Sequence, residues 1–273
     1  RMTRASFLRS AVTGDAGRPR RRSGARLARL DVRTMIGRPI GRSDPQMHAR
    51  APFVFLFDVD NTLLDNDTVT AHLRGHLEKS FGHECAERYF RIFEALRVEL
   101  GYADYLGSLQ RYRHEMGDDP HLLQMSTFLI EYPFADRLFP GAREAVQHAR
   151  QQGEAHIVSD GDVVFQPWKI RRAGLWDAFG GHVLIYVHKE KMLDDIERRH
   201  PADHYVVVDD KLRLLAAFKR VWKERVTTVF VRQGHYAHDP KILASEPPAD
   251  VTLESVSELQ SWTARDLVTR ASS

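Results

Sequence analysis

Phe53-Val54-Phe55-Leu56-Phe57-Asp58-Val59-Asp60-Asn61-Thr62 is the stretch on which the reading of this chain turns. Five apolar residues in unbroken succession suit a strand buried on both faces, since a strand with one wet face would alternate. The run stops on a carboxylate. Three later runs likewise stop on a polar or charged residue: Ala155-His156-Ile157-Val158 precedes Ser159, Val183-Leu184-Ile185-Tyr186-Val187 precedes His188, and Tyr205-Val206-Val207-Val208 precedes Asp209. Residues 226–231 make a fifth run, and Pro248-Ala249-Asp250 opens a last strand-like stretch. Between them, residues 141–152, 163–173, 190–199 and 211–223 are predicted helices. Strands alternating with helices imply a parallel sheet covered on both faces, an α/β architecture. Ligands of such sheets bind beyond the carboxyl ends of the strands, where the polar residues collect here.

Strand signals vanish between Asp67 and Arg137. Residues 83–100 place Ala86, Phe90, Phe93, Leu96 and Leu100 on one helical face, and residues 102–113 do likewise with Tyr102, Tyr105, Leu106, Leu109 and Tyr112. This predicts an inserted all-helical cap over residues 67–137, with the core formed by 51–66 and 138–273. Residues 1–50 differ in kind. They hold 13 arginines, no lysine and three acidic residues, Asp15, Asp31 and Asp44, while the rest of the chain carries 27 basic against 34 acidic residues. The overall charge of +3 therefore hides a basic tail on a mildly acidic body. Without apolar periodicity the tail is expected to be disordered and dispensable, with Met35 or Met47 as the working start. An arginine-rich tail could touch nucleic acid non-specifically, but it lacks aromatic residues for base stacking. An arginine-rich targeting peptide is the other use such a composition allows. No apolar run reaches the roughly 20 residues that span a bilayer. Cys85 is the single cysteine, which excludes an intrachain disulfide and fits a reducing cytoplasm.

Asp58 and Asp60, two residues apart just past a strand, can address one site from a compact turn. The first could attack phosphorus, and the second could protonate a leaving group and then activate water. Thr62 offers a hydroxyl for orientation, although an Asp/Asn turn that bonds only its own backbone has the same letters. Ser159 could donate to a phosphate oxygen, and Lys189 could neutralise phosphoryl charge. Asp209 and Asp210 would repel Asp58 unless a hard cation joined them, and magnesium favours such carboxylates. Each residue alone has a plainer reading as helix cap or surface charge. Their ordered recurrence on successive strand ends does not.

The series Asp-x-Asp-x-Thr, Ser, Lys, Asp-Asp resembles the four motifs of the haloacid dehalogenase superfamily. Phe139-Pro140-Gly141-Ala142, Lys169-Ile170 and Gly174-Leu175 look like that family too, and the resemblance covers about residues 52–260. It implies a Rossmann-like sheet, a helical cap after the first motif, magnesium and an aspartyl-phosphate intermediate. Carried over, Asp58 would be nucleophile and metal ligand, and Asp60 acid/base with its carbonyl on the metal. Ser159, Asp160, Lys189 and Thr62 would surround the phosphate, and Asp209 or Asp210 would complete the metal site. Asp160 stands where the family often has Asn, and Lys191 competes with Lys189. Dehalogenating members typically lack an Asp at position 60, so Asp60 points to a phosphatase acting on a small phosphorylated metabolite. A mutase shares the same pair, and a non-catalytic binder could keep the fold. In the cap, Arg88, Arg91, Arg111, Arg113 and His114 either line its inner face or solvate its outer one, the latter being commoner. No histidine has carboxylate company that suggests a zinc site.

Overall fold

The computed structural model describes residues 50–117, 119 and 121–271; the expectations for the basic tail fall outside these. Six parallel strands form one sheet: β1 (Ala51–Phe57), β2 (Glu154–Asp160), β3 (Val183–Tyr186), β4 (Ala202–Asp209), β5 (Val226–Val231) and β6 (Val251–Leu253). Their order is β3-β2-β1-β4-β5-β6. Strand order reverses between β1 and β4, and the register there pairs Phe57 with Val208. Asp58 and Asp209, the residues at those two strand ends, are thereby set side by side at the point where this fold binds ligands.

β1 is buried on both faces, as its composition requires. Phe55 and Phe57 enter one core cluster, while Val54 and Leu56 enter the other. Burying each such side chain contributes about 1.5–3 kcal/mol. The helices that supply the two layers are α5 (Ala142–Gln152), α6 (Phe165–Arg172), α7 (Leu175–Ala178), α8 (Leu193–Arg199), α9 (Leu212–Trp222), α10 (Pro240–Ser245) and α11 (Ala264–Ala271). All four helices expected in this part are present. The one over 190–199 starts at Leu193 instead, because residues 189–191 form a 3-10 turn behind His188, whose φ is +63°.

Between β1 and α5 lie four α-helices, α1 (Asn66–Phe81), α2 (His83–Leu100), α3 (Tyr105–Met116) and α4 (Leu122–Glu131). Asp65 caps α1 by accepting from Thr68 N and Thr68 Oγ1 at 2.9 and 2.6 Å. Gly101 ends α2 with a φ of +82°, a conformation that costs glycine no Cβ clash. α3 starts at residue 105, later than periodicity implied. Asp104 accepts from Gly107 N at 2.7 Å and fixes the cap there, which leaves Tyr102 in the preceding loop. Among the described residues, no helix is long and apolar enough to cross a membrane.

Candidate active site

The turn after β1 is shaped by Asn61, which sits at φ +60°, a left-handed conformation that asparagine tolerates. Its side-chain oxygen accepts from Asn66 N and Asp67 N at 3.0 and 3.1 Å, tying the turn to the start of α1. The Val59 carbonyl accepts from Leu63 N and Leu64 N. The result holds Asp58 and Asp60 on the wall of one cavity of about 750 Å³, which Ser159 and Asp160 also line. β1 and β2 therefore deliver their terminal residues to one place, and Asp209 at the end of β4 lies beside them, 2.7 Å from the Lys189 ammonium that Asp58 also binds.

Asp58 is 5% exposed, and its Oδ1 accepts from Lys189 Nζ at 2.6 Å. The same ammonium lies 2.7 Å from Asp209 Oδ2 and donates to the Val158 carbonyl at 3.2 Å. Burial alone would discharge Lys189, but Asp209, Asp58 and Asp160 hold it charged, above the usual lysine range. Lys191, by contrast, is exposed. Burial also works against an ionised Asp58, yet Lys189 and Lys211 keep its carboxyl below its ordinary value. Burial raises Asp209 and, further, Asp210; Asp58 pushes both the same way.

Asp58 Oδ2 and both oxygens of Asp210 are buried without a hydrogen-bond partner among the described residues. One oxygen from each of Asp58, Asp209 and Asp210 lies within 4.8 Å of the others. Three buried carboxylates face two ammonium groups, Lys189 and Lys211. Buried charges without partners are costly, so this donor set fits a hard divalent cation.

Asp60 faces a different cation. Lys169, on α6 and 1% exposed, donates to both Asp60 oxygens at 2.6 and 2.7 Å. Gln166, one turn earlier, donates to Ser159 Oγ at 2.9 Å and reaches Asp60 Oδ2 at 3.3 Å. Asp160 accepts from Lys189 N at 2.7 Å, so its carboxylate anchors the turn that carries the lysine. Thr62 is fully buried, does not line the cavity, and leaves its hydroxyl without a partner. Its carbonyl instead accepts from Gln233 Nε2.

The helical insertion lends the cavity Arg74 and Arg97, not the arginines named from the sequence. Arg88 pairs with Glu84 and Arg111 with Glu99, and Arg91, Arg113 and His114 are exposed outside the cavity lining. Beside the cavity, Asp67 accepts from His235 N at 2.7 Å and Arg97 donates to the Tyr236 hydroxyl, contacts that join the insertion to the sheet domain. Lys169, Gln166 and Lys211 carried no assigned role in the sequence reading. Lys211 lines the cavity, and Asp210, Asp58 and Asp209 hold it charged against burial. Its position directly after Asp209-Asp210 was the available signal.

Comparison with known proteins agrees with this geometry. The sequence profile of the haloacid dehalogenase-like hydrolases matches residues 54–227. A crystal structure described as a haloacid dehalogenase-like hydrolase from Burkholderia xenovorans is 61% identical, with a TM-score of 0.76, covering 78% of this chain and 99% of its own. L-2-haloacid dehalogenase from Xanthobacter autotrophicus shares the fold at 16% identity, TM-score 0.51, over 76% of this chain and 96% of its own. A magnesium-bound HAD-hydrolase from Bacillus subtilis does so at 17% identity, TM-score 0.51, over 77% and 97%. Comparison with curated proteins gives no match. With the profile covering more than half of its length and a 61% identical relative covering 78% of it, the chain belongs to the haloacid dehalogenase-like hydrolases.

Proposed function

We propose that this hydrolase is a magnesium-dependent phosphatase that cleaves a small phosphate monoester through an aspartyl-phosphate intermediate. The observation that carries the reading is Asp60. A carboxylate beside the nucleophile is idle when a halide leaves, but an alkoxide leaving group needs a proton and the second half-reaction needs a base. Asp60 lines the same cavity as Asp58, and Lys169 holds both of its oxygens.

Asp58, Asp209 and Asp210 would hold magnesium, together with the Asp60 carbonyl that the family resemblance implies. Bound there, the ion would offset the repulsion among the carboxylates and the charge on the phosphoryl oxygens. Asp58 attacks phosphorus, the bond to the leaving oxygen breaks, and Asp60 gives that oxygen a proton. Asp60, now ionised beside Lys169, takes a proton from water, which attacks the aspartyl phosphate and returns Asp58. Lys189 and Ser159 bind the transferred group, and a fixed ammonium there stabilises charge without reorganising. The four-helix insertion acts as the cap and limits the substrate to what about 750 Å³ admits, a small metabolite in a reducing cytoplasm.

The test is release of phosphate from p-nitrophenyl phosphate and a panel of phosphorylated metabolites, with magnesium and with chelator. Magnesium-dependent release is expected. Chloride release from 2-chloropropionate with no phosphate release from any monoester would refute the reading.

A further inference from the structure

A histidine cluster lies at the opposite end of the sheet from the cavity. Glu154 opens β2 and Asp160 closes it, so six steps of about 3.3 Å separate the cluster from the active site by about 20 Å. Glu154 and His156 are two residues apart in a strand and share a face. His156 is fully buried, with its Nε2 at 3.2 Å from Glu154 Oε2. Its other ring nitrogen, Nδ1, faces His182 Nδ1 at 3.2 Å. His200, the residue that ends α8, brings its ring centroid to 3.8 Å from that of His156 at an interplanar angle of 36°. One ligating atom from each of Glu154, His156 and His200 falls within 4.8 Å of the others.

We propose that Glu154, His156 and His200 bind a divalent transition-metal ion of the zinc type, which ties the amino end of β2 to the end of α8. Two imidazoles and one carboxylate are a donor set for such ions rather than for magnesium. His156 has the environment of a ligand: one nitrogen points at the site while the other is held by a neighbour, which fixes tautomer and ring orientation. Ligand atoms on a tetrahedral zinc ion lie roughly 3.4 Å apart, since each bond is about 2.0–2.1 Å. The 3.2 Å between Glu154 and His156 already matches, and His200, at a helix end, has room to draw in.

Zinc is titrated into the full chain against a chromophoric chelator at neutral pH, with excess magnesium covering the catalytic carboxylates. One zinc ion per chain is expected to bind. Glu154→Gln and His200→Gln, neither of them a buried position, should each weaken that affinity at least ~10-fold. Glu78→Gln serves as control, because Glu78, His83 and Glu87 form an exposed acidic and histidine group elsewhere, and it should change nothing. The imidazole resonances of His156 and His200 should shift together on zinc addition. Unchanged affinity in both ligand variants would overturn the site. So would no zinc binding beyond the magnesium-blocked centre, leaving a proton chain from His182 through His156 to Glu154.

Discussion

Replacing Asp210 by asparagine should make the metal-free protein more stable and weaken its hold on magnesium. Asp210 is 1% exposed, neither of its oxygens has a hydrogen bond, and Lys211 Nζ lies 3.9 Å away. At an effective dielectric of about 20, that attraction is about 4 kcal/mol. Asp58 and Asp209 bring oxygens within 4.8 Å, where each repulsion is about 3.5 kcal/mol. Two repulsions exceed the one attraction by roughly 3 kcal/mol, and the weaker pull of Lys189 lowers this toward about 2 kcal/mol. The asparagine amide is itself left unpaired at a cost of about 1 kcal/mol, so the net gain is about 1–2 kcal/mol. For a domain of this size that corresponds to a Tm higher by roughly 2–8 °C.

Magnesium should close the gap. At a concentration about 100-fold above its Kd, an ion that binds only the folded state stabilises by about 2.7 kcal/mol, and a tenfold weaker Kd leaves about 1.4 kcal/mol. The variant's lead in chelator therefore disappears in saturating magnesium. Its pH dependence has a definite sign. Burial, with Asp209 and Asp58, holds the Asp210 carboxyl well above its usual value, so the folded state keeps a proton that the unfolded chain has released. Wild-type stability from this group falls as pH climbs above the unfolded carboxylate range. The lead of Asp210→Asn should be widest at neutral to alkaline pH and shrink toward pH ~4. Thermal unfolding in chelator and in magnesium, at several pH values, reads all of this. A variant that melts below wild type in chelator, or that keeps its full lead in magnesium, would refute the reasoning.

Asp58→Asn should form no phosphoenzyme with an activated aryl phosphate, whereas Asp60→Asn should accumulate one, because nitrophenolate leaves unprotonated but water still needs its base. Intact-protein mass after acid quench distinguishes them, and an adduct on Asp58→Asn would sink the assignment. Lys169→Met should lower kcat by roughly 10²–10³ with KM changed far less, since Lys169 touches Asp60 rather than the phosphate site; equal loss in KM would count against it. A chain beginning at Met47 should melt within about 2 °C of full length, because Arg50 and its ion pair with Asp203 are kept, and a larger drop in Tm would show that the basic tail matters.

Much of the sheet was legible because a doubly buried strand has to be apolar throughout, and each run announces its end with a polar residue. The strand-end series Asp58, Ser159 and Asp209 was legible for the same reason. The cap was readable where its apolar stripe was wide, as in α2, whereas α1 buries only the narrow stripe Val69, Leu73 and Leu77 and gave no clear signal. Lys169 and Gln166 were hidden because a lysine or glutamine on a helix has the same letters whether it is solvated or buried. Only the contacts of these two side chains with Asp60, in the turn after β1, reveal which. Glu154, two residues before His156, has the letters of an ordinary exposed strand residue, and the partners His182 and His200 come from topology and have no local signature.

Buried lysines connect these observations. Lys169 and Lys189 are each almost fully buried, where lysine is seldom found unless paired. A core designed only for stability would place apolar residues there, since exchanging a buried ion pair for well-packed hydrophobes is often neutral or stabilising. Both lysines instead end on carboxylates that line one cavity, and both draw them to within 2.7 Å. The desolvation Lys189 suffers is offset only while its carboxylates stay ionised, so that pair holds Asp58 ready to attack, while Lys169 fixes the orientation of Asp60. Asp210 is the counterpart: a carboxylate as deeply buried, with its nearest ammonium 3.9 Å away. That imbalance makes the apo-protein less stable than it could be, and a divalent cation is the simplest charge that corrects it.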